Sequence, residues 1–161
     1  NNWNQKRISK LVVKKLFGTV TNKQITILGF AFKANTNDTR ESSAIPICKD
    51  LIEEGAILKI HDPKVEPNQI SKDLGKKQKD EKDFAKEGDW IFDSNINSAC
   101  TNSDAVLILT EWDEYSKINW ADIENLMRKP SWIFDSRSVI NPKDFINSNL
   151  NIWRIGDGSS L

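Results

Sequence analysis

A chain of 161 residues with 38% hydrophobic and 29% charged side chains has the size and balance of one globular domain in water. No apolar run approaches the ~20 residues that a spanning helix requires, and the opening NNWNQKRISK is polar and basic, unlike a secretory leader. Basic and acidic residues are equal at 23 each with no basic stripe, which argues against nucleic acid as a partner, and two distant cysteines with one histidine argue against a metal cluster and for the reducing cytoplasm.

Residues 5–17, QKRISKLVVKKLF, set Ile8, Leu11, Val12 and Leu16 on one face with lysines opposite, an amphipathic helix that Gly18 ends. A buried strand is expected at about 24–30, followed by a polar loop that begins at Lys33 and holds Thr36, Asn37, Asp38, Thr39 and Arg40. The next helix runs from Ser43 to Glu54 on the stripe Ala44, Ile45, Ile47, Cys48, Leu51 and Ile52. Pro46 falls in its first turn, and Gly55 stops it. Residues 56–60 form a second strand, closed by Asp62-Pro63. Residues 71–89 carry twelve charges, six of each sign, and read as a solvated surface excursion and not a site. A short strand at Trp90-Ile91-Phe92, a short helix at 96–102 and a strand at 105–109 follow. The last, AVLIL, is apolar throughout, as a strand buried on both faces is. A helix around 120–128 ends at Lys129-Pro130, and strands at 132–134 and 151–155 complete the set. This alternation predicts a parallel, doubly wound α/β sheet with no internal repeat.

Polar clusters follow three of the buried strands: Phe32-Lys33, Thr110-Glu111-Trp112 and Asp135-Ser136-Arg137. In a parallel sheet all three lie along the carboxyl edge, where open α/β sheets bind ligands. That edge would offer two cations and two aromatics, a set suited to a nucleoside diphosphate. Arg137 also has plain partners nearby in Asp135 and Glu111, and Phe32 and Trp112 taken alone read as packing residues. The loop is neither a dinucleotide fingerprint nor a P-loop, because Gly29 stands alone and no Gly-Lys-Ser/Thr follows the strand. Cys48, on an apolar helix stripe, and Cys100 read as buried structural thiols; His61 reads as structural and Asp62 as a turn cap.

Gly-Phe-Ala-Phe-Lys at 29–33, Thr36, Asp38 and Arg40-Glu41-Ser42-Ser43 resemble the C-terminal domain signature of UDP-glucose 6-dehydrogenases in the nucleotide-sugar dehydrogenase group. The resemblance continues through His-Asp-Pro-Lys (61–64), Thr-Glu-Trp (110–112) and Ile-Phe-Asp (133–135). It implies a Rossmann-like doubly wound, mainly parallel sheet flanked by helices and preceded by one amphipathic helix. Residues 1–18 would end a central linker helix, and 19–161 would form the UDP-sugar-binding domain. It further implies that Phe32, Lys33 and Arg137 contact the UDP-sugar and that Arg40 reaches NAD held by another domain.

The family oxidises UDP-glucose to UDP-glucuronate with NAD through a cysteine thioester, and it forms homo-oligomers. The NAD-binding domain and the Gly-x-x-Cys nucleophile have no counterpart in these residues, so the chain alone is expected to be inactive. Dehydrogenases of UDP-N-acetylmannosamine and GDP-mannose share parts of the signature. A different class of reading is a non-catalytic nucleotide-binding or self-association module whose leading helix exposes Leu11, Val12 and Leu16 to a second copy.

Overall fold

The computed structural model describes residues 2–80 and 85–156, with side chains from residue 5 onward. Its centre is a six-stranded sheet in the order β3-β2-β1-β4-β5-β6. The strands are β1 (Gln24–Leu28), β2 (Ile57–His61), β3 (Trp90–Phe92), β4 (Ala105–Ile108), β5 (Trp132–Asp135) and β6 (Asn151–Arg154). Every neighbouring pair is parallel. The expected fold class is therefore the observed one.

The helices are α1 (Asn2–Lys15), α2 (Ala44–Glu53), α3 (Pro67–Leu74), α4 (Ile96–Cys100) and α5 (Trp120–Leu126). The right-handed crossover rule assigns their faces. The chain moves outward from β1 to β2 to β3 through α2 and α3, then returns across the sheet through α4 to β4 and continues the other way through α5. Helices made on opposite directions of travel cover opposite faces. The contacts agree, with α2 packing on α1 and α3, and α4 packing on α5. β4, at the centre, is buried at every residue, the consequence of helices on both sides of an apolar run.

α1 belongs to this core. Leu11, Val12 and Leu16 are buried among the residues of α2 and the sheet, and Ser9 Oγ donates to Asp50 Oδ2 at 3.1 Å. The self-association reading is corrected on this point: the apolar stripe of α1 is covered by its own chain and is not on offer to a second copy.

The excursion at 71–89 needs correction only over its first four residues. Its first residues are the last turn of α3, which buries Ile70 and Leu74. Pro67 at the first helical positions and Gly75 at the left-handed C-cap bound this helix. Its apolar stripe is two side chains wide in charged surroundings, too thin to show as a periodic signal. Residues 81–84 of that segment lie outside the described residues.

The register fixes where the chain leaves the sheet. Leu28 sits opposite both His61 and Ile108, and Ile108 sits opposite Asp135. Gly29, Asp62, Leu109 and Ser136 thus emerge side by side at one edge. Gly29 is required there. It has a φ of +99°, and a Cβ on it would lie 2.4 Å from Thr110 Cβ and 2.7 Å from the Thr110 backbone nitrogen.

Candidate functional site

The strand order reverses between β1 and β4, so the chain leaving β1 runs to one side of the sheet and the chain leaving β4 to the other. The β1 loop folds back on itself, with Phe32 N–H donating to Asp38 O at 2.8 Å. Thr36 Oγ1 accepts from Asp38 N–H, and Asp38 Oδ1 accepts from Arg40 N–H, so short polar side chains close successive turns. Ser42 Oγ donates to Phe30 O at 2.7 Å and ties the far end of the loop to its start.

Asp62 holds this edge together. Its Oδ2 accepts from Phe30 N–H at 2.8 Å, Ala31 N–H at 2.9 Å and the Trp112 indole N–H at 3.3 Å. Its Oδ1 accepts from Lys64 N–H and Val65 N–H, both at 2.9 Å. One buried carboxylate thereby joins the loops after β1, β2 and β4. The turn-capping role expected for it accounts for the two bonds within its own loop; the three bonds to other loops could not be read from spacing.

Glu111 makes a second bridge above the first. Its Oε1 accepts from Ala34 N–H at 3.0 Å, and its Oε2 lies 3.3 Å from Arg137 Nη1. Arg137 is held separately, with Nε donating to Leu109 O at 3.0 Å and its backbone N–H donating to Asp135 Oδ1 at 3.0 Å. Asp135, fully buried, also accepts from Ile140 N–H at 2.9 Å and shapes the turn that carries Arg137. The structure therefore brings the β1, β4 and β5 clusters together. It also puts Arg137 in the ion pair with Glu111 that was its plain alternative.

The remaining candidates divide. Lys33 is exposed, and Phe32 is 43% exposed, a large aromatic presented to solvent beside it. Trp112 is buried with its indole spent on Asp62. The edge consequently offers one aromatic and not two. Arg40 stands apart with its side chain 88% exposed, forked onto Asp38 at 2.9 Å. Hydrogen bonds from Arg40 hold the Asp38 carboxyl down at about 2.

Cys48 and Cys100 both lie in the hydrophobic core. Both are buried; burial pushes the Cys48 thiol far up and the Cys100 thiol up to about 12. His61 is buried against Tyr115, with Nδ1 2.8 Å from the Tyr115 hydroxyl, and burial lowers its pKa. Among the described residues no group of three or more His, Cys, Asp or Glu side chains could hold a metal ion, and no helix is long and apolar enough to cross a membrane.

The β1 loop does not have the shape of a dinucleotide cradle. Fifteen residues separate Leu28 from Ala44, so the N-terminus of α2 is far in sequence from the strand end. Thr110 fills the space over Gly29, and the acid after β2 is consumed by backbone donors. NAD does not fit this edge as a resident cofactor.

A doubly wound parallel sheet whose carboxyl-edge loops present a guanidinium, an ammonium and an exposed aromatic has the build of a nucleotide-binding α/β domain. The chain belongs to the UDP-glucose/GDP-mannose dehydrogenase family: residues 26–142 match the profile described as its UDP binding domain. It is 40% identical over 156 residues to the UDP-glucose 6-dehydrogenase of Drosophila melanogaster, covering 97% of this chain and 33% of that one. It is 43% identical over 141 residues to the enzyme of the same name from Pongo abelii, covering 88% of this chain and 28% of that one. The chain thus spans about a third of the length of these curated relatives. Among solved structures, a UDP-D-ManNAc dehydrogenase from Pyrococcus horikoshii superposes with a TM-score of 0.69 at 20% identity, covering 97% of this chain and 31% of that one. A UDP-glucose dehydrogenase from Pyrobaculum islandicum does so with 0.64 at 22% identity, covering 86% and 27%. At those identities the likeness speaks for the fold.

Proposed function

We propose that this chain is the UDP-sugar-binding domain of an NAD-dependent UDP-glucose 6-dehydrogenase, which converts UDP-glucose to UDP-glucuronate. The observation that carries the reading is the bridging by Glu111 of the loop that bears Phe32 and Lys33 to Arg137 at the carboxyl edge, with Asp62 tying the first loop to the one after β4. A diphosphate needs cations from more than one direction, and an arginine can grip its oxygens with two parallel N–H groups. Lys33 and Arg137 supply the cations, and Phe32 supplies a face for the base.

Binding energy collected on the nucleotide end orients the sugar end, where the reacting carbon lies. Both buried thiols are unsuited to covalent catalysis, so the oxidation is assigned to residues outside this chain. NAD is likewise assigned to another domain, with the outward-facing Arg40 reaching toward it. In this reading residues 1–18 end a helix leading from a central segment, residues 19–161 form the binding domain, and the whole enzyme is a cytoplasmic homo-oligomer.

Glucose is preferred over N-acetylmannosamine or GDP-mannose because the curated relatives at 40–43% identity bear the name UDP-glucose 6-dehydrogenase. Calorimetric titration of the chain with UDP, with GDP as control and Arg137→Ala alongside, tests the proposal. Saturable UDP binding that fails with GDP and with the variant is the expected result. Equal binding of GDP, or binding untouched by the substitution, would sink it.

A further inference from the structure

The carboxylate of Glu111 is gripped in the manner of a ligand. One oxygen accepts from Ala34 N–H at 3.0 Å and the other is ion-paired with Arg137 Nη1, on a different loop, at 3.3 Å. A backbone N–H and a guanidinium spaced to hold two oxygens of one carboxylate are also spaced to hold two oxygens of one phosphoryl group. The Glu111 side chain is 39% exposed, so it is not built into the core.

The backbone around it is pinned. Thr110 Oγ1 donates to Ala31 O at 2.8 Å, and the Trp112 indole is bound to Asp62. Arg137 keeps its own anchor on Leu109 O. The glutamate side chain can therefore rotate away while both donors stay in place.

We propose that Glu111 is an internal anion latch: in the ligand-free site its carboxylate occupies the place of a ligand phosphate, and a nucleoside diphosphate must displace it to bind. The proposal rests on the UDP-site reading given above. The latch sets a threshold that phosphate-bearing ligands pay and a bare nucleoside does not. It lowers the affinity for UDP by the strength of a half-exposed ion pair, about two- to fivefold.

The test compares the chain with Glu111→Gln by amide chemical-shift titration, using UDP and uridine as probes. Glutamine keeps an acceptor for Ala34 N–H and removes the charge facing Arg137; thermal unfolding of both proteins confirms that the variant is folded. The expected result is UDP binding about two- to fivefold tighter in Glu111→Gln, with uridine binding unchanged. UDP binding that is equal or weaker in the variant would overturn the latch while leaving the UDP site standing, and would make Glu111 a positioning residue for Arg137. An equal gain for uridine would also overturn it, by showing general loosening of the loops. UDP bound by neither protein would overturn the site assignment and the latch together.

Discussion

Asp62→Ala is the substitution that most directly probes how the nucleotide loops are held. The Asp62 carboxylate accepts from five N–H groups. Three of these, on Phe30, Ala31 and Val65, belong to buried residues and have no ready route to water. Lys64 is exposed and can turn its N–H to solvent, and the indole bond at 3.3 Å is long enough to contribute little. Each stranded buried donor costs about 1–3 kcal/mol. Two effects reduce the sum: water enters the space vacated by the carboxylate, and the variant no longer bears the cost of burying a charge. The net loss is set at about 3–5 kcal/mol, a large share of a domain's stability. Equilibrium unfolding in urea measures it, and an unchanged slope would show that the same structure unfolds. Asp62→Asn, which retains one acceptor oxygen, should lose about half as much. A loss below about 1 kcal/mol for Asp62→Ala would refute the reasoning, because it would mean that the three buried donors find other partners.

Gly29→Ala combines a left-handed backbone with a Cβ driven against Thr110 Cβ at 2.4 Å; the expected destabilisation is about 2–5 kcal/mol, and a midpoint shift within error of zero in urea would contradict it. His61 has its pKa lowered by burial, against the opposing pull of the Asp62 and Asp93 charges, with Glu114 3.7 Å from its Nε2. Its neutral form is therefore native, the unfolded chain takes up the proton first, and stability present above about pH 6.5 is lost as pH falls below that value. A two-dimensional NMR titration should place the His61 midpoint below 6.5, and a midpoint above it would reverse the sign. Cys48 and Cys100 should resist a thiol reagent at pH 7 in the native chain and react at once in urea, since burial raises both thiols; rapid modification of either in the native state would count against this packing.

The sheet was legible because its strands are apolar runs bounded by turn residues. AVLIL at 105–109 could hardly be anything but a central strand, and the charged β1 loop stood out against the buried strand before it. α3 escaped notice because Ile70 and Leu74 are its only buried residues. The closeness of the loops that bear Lys33 and Arg137 was partly legible, since placing them at one edge needs nothing beyond parallel strands. What spacing could not supply is which carboxylate bridges which loops. Glu111 reaches Ala34 across 77 residues of chain, and Asp62 reaches Trp112 across 50. Those contacts are set by strand register and by the close approach at Gly29, and both are properties of the folded sheet.

Amide chemical-shift mapping of the chain during a UDP titration is the measurement that decides most. The switch-point assignment requires the largest perturbations at Phe32, Lys33, Ala34, Glu111 and Arg137, saturating together. Perturbations concentrated instead in the groove between α1 and α2, lined by Lys6, Lys10 and Lys14 together with Asp50, Glu53 and Glu54, would place the nucleotide elsewhere and contradict it.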